Sequence, residues 1–155
     1  MEYVGETDWI SAAIHGPGYS GGTPFVKKRF LSSANDATNW HVYSVDWSPT
    51  GIAFMVDGDI TYQVTRPMIE QYGDWVFDTP KFLILNVALG GDYPANTNGL
   101  KSPYLGIPDT TVQLVRENKI KMLVDWVRVT KSPLTVDAAS LNDDRKTVNS
   151  HESVE

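Results

Sequence analysis

The feature that most constrains this chain is a regular alternation of side chains over residues 40–47. Trp, Val, Ser and Asp occupy one set of alternate positions, and His, Tyr, Val and Trp occupy the other, which is the pattern of a β-strand. Residues 52–56 are apolar, and the Asp57-Gly58 dipeptide after them is a strong hairpin signal before residues 60–64. The sequence therefore predicts an antiparallel meander of three strands.

The composition extends this β character to the whole chain. Aromatic residues make up 11%, and 12 Gly and 9 Pro interrupt short runs rich in Val, Ile and Thr, which indicates an all-β fold. A strand-rich domain with many aromatic rings often binds carbohydrate, because rings stack on sugar faces. A sandwich with a bulky core has the same composition, and composition alone favours that plainer interpretation.

Charge and residue counts exclude several classes of protein. The formal net charge of −6 argues against a basic nucleic-acid-binding surface. No apolar run approaches the roughly 20 residues of a membrane-spanning helix, and no signal peptide is visible at the start of the sequence. Cysteine is absent, which excludes a disulfide framework, a thiolate metal site and a cysteine nucleophile.

Further strands are predicted on both sides of the meander. Short strands are expected at residues 2–6, 9–15 and 25–31. Two longer apolar runs follow the meander, and we expect residues 81–89 to form a strand buried on both faces and residues 120–129 to form the last strand.

The remaining segments indicate loops, one short helix and a tail. Residues 66–73 suit a single helical turn, because Pro67 fits a first helical position. Residues 90–108 predict a long loop, and long ordered loops are usually functional. Residues 132–155 are polar and lack aromatic side chains, so we expect a disordered tail after a domain at residues 1–131.

The side chains that could carry chemistry are few. No pair of the three histidines has metal-ligand spacing; His41 lies in a predicted strand, and His15 ends another beside a glycine-rich loop. A structural or surface role is the favoured interpretation of each histidine on its own. Motifs for a serine nucleophile or a phosphate-binding loop are absent, which leaves the carboxylates as candidate catalytic groups.

Four segments of the chain are informative as an ordered set. They read Met-Glu-Tyr-Val-Gly at 1–5, His-Gly-Pro-Gly-Tyr-Ser-Gly at 15–21, Leu-Ile-Leu-Asn-Val-Ala-Leu-Gly-Gly at 83–91 and Met-Leu-Val-Asp-Trp-Val-Arg-Val at 122–129. With Val-Asp-Trp-Ser-Pro at 45–49 between them, they resemble glycoside hydrolase family 16, in particular its laminarinase-like endo-β-1,3-glucanases. The resemblance covers about residues 1–130.

The resemblance implies a concanavalin-like β-jelly roll, a sandwich of curved antiparallel sheets whose concave face holds a glucan chain. It also implies a retaining mechanism that uses two glutamates of one strand, in a Glu-x-Asp-x-x-Glu motif with a β-bulge that brings both to one face. Glu2 aligns with the second glutamate, the general acid/base. The nucleophile would lie five residues earlier, so we expect a partial jelly roll lacking its N-terminal strands, truncated inside the motif and inactive or nearly so alone.

Glu6 is an alternative nucleophile within the chain. Glu2 and Glu6 would share a face of an extended strand, with Cα atoms about 13 Å apart, so spacing alone does not exclude the pair. Gly5 and the turn expected after it instead favour Glu6 as a solvated turn residue.

Further residues are implied by the same alignment. His15 and Asn86 match residues that face the substrate cleft, and Ser11 stands where many members of this branch have a second histidine. Asp125 matches a carboxylate of a structural calcium site, although calcium needs six to eight oxygen ligands. The chemistry itself needs no cofactor.

Three functions are consistent with these observations. The first is a laminarin-type β-glucan hydrolase by descent, and the second is a non-catalytic β-glucan-binding module. The third is one part of a split or oligomeric assembly, completed by an N-terminal segment or by self-association. Family resemblance implies an extracellular location, and neither nucleic acid nor a membrane is expected as a partner.

Overall fold

The computed structural model describes residues 1–131. The predicted polar tail at 132–155 lies outside the described residues. The chain divides into two units, Met1–Met122 and Leu123–Glu155. Every strand and helix found in residues 1–131 belongs to the first unit. None of these helices combines the length and the apolar character needed to cross a membrane.

The first sheet pairs β1 (Trp9–Ala13) with β2 (Val26–Phe30) in antiparallel register, Trp9 opposite Phe30 and Ala13 opposite Val26. β1 is almost entirely buried, whereas β2, with the sequence Val-Lys-Lys-Arg-Phe, is exposed along its length. On the other side of β1, the chain at Glu2 forms an isolated bridge to Ser11. β1 therefore lies between the Glu2 segment and β2.

The second sheet is the predicted meander of β3 (Tyr43–Ser48), β4 (Gly51–Val56) and β5 (Asp59–Thr65). The β4–β5 turn has positive φ at both central residues, 53° at Asp57 and 90° at Gly58. A turn with two such residues matches the twist of antiparallel strands, which is why Asp-Gly is favoured there. The meander and its turn are confirmed.

Three short helices follow the sheets. α1 (Arg66–Ile69) is the predicted helical turn and carries Pro67 in its first turn. α2 (Asp92–Asn98) lies in the region predicted to be a loop, where Pro94 is tolerated because the first amides of a helix have no intrahelical partner. α3 is formed by Asp109–Arg116.

The core contains side chains from the second sheet, from the segment that joins β1 to β2, from α1 and from the segment after α1. It is built from Ile14, Tyr19, Phe25, Ile52, Val64, Ile69 and Trp75. The rings of Tyr19 and Phe25 meet edge to face, with centroids 5.6 Å apart and an interplanar angle of 85°. Two antiparallel sheets with few helices confirm the all-β class, and the arrangement is that of part of a jelly roll.

Three predicted strands are wrong for the described residues. Residues 2–6 contain only the isolated bridge at Glu2. Residues 81–89 form no strand pair within residues 1–131, and their apolar side chains are exposed, with Phe82 at 84%. Residues 120–129 likewise contain no paired strand in the part of the chain described. An apolar run favours a strand only where a neighbour completes the ladder and another layer covers it. Neither condition is met here.

Replacing Ile69 tests the core. Its side chain is completely buried, so we expect Ile69→Ala to lower the free energy of unfolding by about 2–5 kcal/mol through lost burial and a residual cavity. Met68→Ala, one residue earlier and 41% exposed, is the control and should change it by only about 0.5 kcal/mol. Equal losses in urea unfolding of both variants would contradict the described core.

Candidate functional site

Glu2 is fixed against β1 by its backbone. The Glu2 amide donates to the Ser11 carbonyl at 2.8 Å, and the Ser11 amide donates to the Glu2 carbonyl at 3.0 Å. Residues that exchange both hydrogen bonds in this way lie directly opposite one another, with side chains on the same face. The Ser11 hydroxyl donates to Glu2 Oε2 at 3.2 Å, so backbone and side chain both orient the carboxylate.

A second hydroxyl extends this contact. Tyr93 Oη donates to Ser11 Oγ at 3.1 Å, and Ser11 is 1% exposed. The Trp9 and Tyr93 rings lie side by side, with centroids 6.5 Å apart. Because Tyr93 supplies the hydrogen that Ser11 accepts, the Ser11 proton is free to point at Glu2. The result is a chain of hydroxyls that ends on the carboxylate.

Tyr93 reaches Ser11 because of the backbone before α2. Gly90 and Gly91 have φ of 65° and 114°, values that favour glycine. A Cβ on Gly90 would also collide with the Leu105 carbonyl, and the Gly91 amide donates to that same carbonyl at 2.9 Å. Sequence reasoning missed Tyr93; the only available signal was its place in a long loop flagged as functional.

His15 lies beyond the end of β1, exposed, beside the loop at residues 16–22. That loop is tightly closed: the Tyr19 amide donates to the Gly16 carbonyl at 3.0 Å, and a Cβ on Gly16 would collide with the Tyr19 ring. The position of His15 is therefore set by a buried tyrosine.

A backbone bend at Gly5 separates Glu6 from Glu2. Gly5 has a φ of 99° and bends the chain, and a turn at Thr7 and Asp8 follows. Because of this bend, Glu6 is better interpreted as a turn residue than as a second carboxylate on the same extended strand as Glu2. Burial, then the charges of Asp36 and Glu6, raise the pKa of Tyr3, so the surroundings of this segment are acidic.

The other two predicted site residues are Asn86 and Asp125. Asn86 lies in the exposed run at 82–89, and no hydrogen bond connects it to Glu2 or His15 within residues 1–131. Asp125 belongs to the second unit and is exposed. Across the described part of the chain, no group of three or more His, Cys, Asp or Glu side chains could hold a metal ion. One exposed carboxylate does not fit a calcium site, and that role stays a prediction.

A concavity of about 820 Å³ lies away from Glu2, beside α1. It is lined in part by Arg66, Glu70 and Trp75. Arg66 is already paired there, with Glu70 at 2.7 Å and with Asp78 at 3.0 Å. The cation is thus engaged by its own neighbours, and the concavity adds no reactive group to the candidate site.

The comparison with known families bears directly on this site. The sequence pattern of glycosyl hydrolases family 16 matches residues 1–128. The chain belongs to this family. The match includes Glu2, Ser11, His15, Asn86 and Asp125, so the family resemblance seen in the sequence is confirmed, while the role of each residue stays a prediction.

The curated proteins that this chain resembles have several names. A keratan-sulfate endo-1,4-beta-galactosidase of Sphingobacterium multivorum is 29% identical, and the match covers 86% of this chain and 28% of that protein. Glucan endo-1,3-beta-glucosidase A1 of Niallia circulans is 33% identical, with 61% of this chain and 13% of that protein covered. Beta-1,3-glucan-binding protein 1 of Manduca sexta is 24% identical, with 81% and 32% covered.

These matches span about a third or less of the length of those curated relatives. No solved structure is a significant match to the chain.

Disrupting the hydroxyl chain tests the geometry at Glu2. We expect Ser11→Ala and Tyr93→Phe each to lower the free energy of unfolding by about 1 kcal/mol, because each removes a hydrogen bond of a partly or fully buried group. The double variant should lose less than the sum, since both changes remove the same Tyr93–Ser11 contact.

Urea unfolding of the four proteins measures this coupling. Tyr104→Phe, which removes the hydroxyl of a tyrosine 46% exposed, is the matched control and should be nearly neutral. Strictly additive losses from the two site variants would show that the hydroxyls do not act together.

Proposed function

We propose that this chain carries the general acid/base of a retaining β-glucan hydrolase that acts on laminarin-type β-1,3-glucan, with Glu2 in that role. The observation that carries the proposal is the double backbone pairing of Glu2 with Ser11, together with the hydroxyl on its carboxylate. An acid/base must keep one orientation through two proton transfers, and these contacts supply that constraint. Membership of family 16 supports the reaction class.

In this mechanism Glu2 acts twice. As the acid it donates a proton to the glycosidic oxygen while a second carboxylate attacks the anomeric carbon, so the glycosidic bond breaks and a glycosyl-enzyme forms. As the base it then takes a proton from water, whose oxygen attacks the same carbon and releases the second carboxylate. His15 and Asn86 are proposed to contact the sugar.

The second carboxylate is proposed to lie five residues before Glu2, outside these 155 residues. The bend at Gly5 argues against Glu6 as its substitute. We therefore expect these residues on their own to have little or no hydrolytic activity.

A complementary segment is the proposed partner of the exposed apolar run at 82–89. Six of its large apolar side chains are more than half exposed, at Phe82, Leu83, Ile84, Leu85, Val87 and Leu89. Apolar surface of this extent is typical of an interface, and an apolar run without a ladder can accept another strand. We propose that the strands that carry the nucleophile cover this exposed run. The family resemblance supports an extracellular location for the protein.

A non-catalytic β-glucan-binding module is the second candidate. It is supported by the match to Beta-1,3-glucan-binding protein 1, which covers 81% of this chain. Exposed indole rings such as Trp40, at 66%, offer faces on which sugars can stack. This candidate requires saturable binding of laminarin without turnover, even when the complementary strands are present.

Release of reducing sugar from laminarin tests the proposal. The 155-residue chain alone should show almost no turnover. Joining to its start a segment that supplies the Glu-x-Asp-x-x-Glu motif and the strands before it should produce activity. Glu2→Gln in the joined protein should reduce that activity by about 10²-fold or more, because the leaving oxygen loses its proton donor.

Glu6→Gln is the matched control and should leave the activity of the joined protein nearly intact. Turnover by the 155 residues alone that both substitutions abolish would instead identify Glu6 as a nucleophile. Binding without turnover in the joined protein would favour the binding module, and preferential cleavage of keratan sulfate would contradict the proposed substrate.

A further inference from the structure

His41 occupies a buried position outside the candidate catalytic site. Its side chain has no exposed surface. Nδ1 lies 2.7 Å from Asp57 Oδ2, in the β4–β5 turn, and Nε2 lies 2.9 Å from the Asp36 carbonyl, in the loop between β2 and β3. Both ring nitrogens are therefore within hydrogen-bond distance of an oxygen.

Both of these oxygens are acceptors. A backbone carbonyl has no proton to donate, and an ionised carboxylate has none either. The other oxygen of Asp57 accepts the Val42 amide at 2.8 Å, as expected for a carboxylate. A neutral imidazole has one N–H and would leave one of its two contacts without a proton.

We propose that His41 is held as an imidazolium and, in that form, braces the second sheet to the loop that supports the Glu2 segment. With protons on both nitrogens, the ring donates to Asp57 and to the Asp36 carbonyl at once. The charge state follows from the geometry alone; only its bearing on catalysis rests on the proposed role of Glu2.

The brace connects two parts of the first unit. At one end, Asp57 belongs to the β4–β5 turn, and its amide donates to the Val42 carbonyl at 2.9 Å. At the other end, the loop containing Asp36 holds the turn before β1, because the Ala37 amide donates to the Thr7 carbonyl at 2.8 Å. That turn connects Glu2 to β1, so loss of the His41 proton would loosen support behind the candidate site.

The surrounding charges favour the imidazolium. Burial by itself would lower the pKa of His41, but the hydrogen bonds to Asp57 and Asp36 and the charges of both carboxylates raise the pKa above its ordinary value. The hydrogen bond from His41, followed by the Val42 amide, holds the pKa of Asp57 below its usual range.

Other titratable groups nearby do not compete for this proton. Hydrogen bonds from Thr38 hold the pKa of Asp36 low, so that side chain remains an anion. Tyr43, whose ring centroid is 5.7 Å from that of His41, has a pKa raised by burial and by Asp57, and it stays neutral.

The sign of the pH dependence follows from these shifts. Because the folded-state pKa of His41 exceeds its unfolded value, its stabilising contribution is complete below the unfolded pKa of about 6.5. The contribution is lost as the pH rises through the folded pKa. At the acid end, the contribution of Asp57 is lost as the pH falls through its own lowered pKa.

Nitrogen-15 NMR of the imidazole ring tests the charge state in the unmodified chain. At pH 7 both nitrogens of His41 should carry protons, and the ring should titrate at a higher pH than histidine in the unfolded chain. Resonances of a neutral tautomer at pH 7 would overturn the proposal. Because this measurement needs no turnover, its failure is distinct from a failure of the proposed function.

Hydrogen exchange of the Ala37 amide tests the brace. Asp57→Asn should lower the titration midpoint of His41 and speed Ala37 exchange about tenfold, as expected for losing one charge-assisted hydrogen bond. Asp59→Asn, in the same hairpin but without contact to the ring, is the matched control and should change neither. If the ring is protonated in the unmodified chain but Asp57→Asn leaves the exchange rate of the Ala37 amide unchanged, the bracing role is overturned.

Discussion

The burial of Tyr19 in the core, between the segment after β1 and the segment after α1, is the constraint on which the rest of the described structure depends. Its side chain is 1% exposed, and its hydroxyl donates to the Asp74 carbonyl at 2.9 Å, which fastens the loop after β1 to the segment after α1. The two backbones meet so closely that a Cβ on Gly73 would collide with the Pro17 carbonyl. Glycine is needed there because the tyrosine draws the loops together.

This packing orients the buried strand from which the candidate site is built. β1 presents Ser11 to Glu2 on one side, and Tyr93 in α2, distant in sequence, donates a hydrogen bond to that serine. His41, which lies just before β3, contacts the loop that holds the turn before β1. An acid/base at Glu2 would thus be oriented by contacts from three separate parts of the chain.

Local patterns predicted the parts of the fold that local physics determines. The alternation at 40–47 and the Asp57-Gly58 turn specify neighbouring strands, and Pro67 marks α1. The run at 81–89 was predicted to be a buried strand, but strand formation depends on partners elsewhere, and none is present in the described residues. Tyr93 could not be predicted, because its contact joins residues 82 positions apart through glycine conformations that leave no periodic signal.

The most direct test of the central claim is azide rescue of Glu2→Ala in a longer form of the protein that includes the segment proposed to carry the nucleophile. An acid/base variant still forms the glycosyl-enzyme from a substrate with a good leaving group, and azide, which needs no general base, attacks it in place of water. Retention then predicts a β-glycosyl azide product. An α-glycosyl azide would identify Glu2 as the nucleophile, and the absence of any rescue would contradict its role as the acid/base.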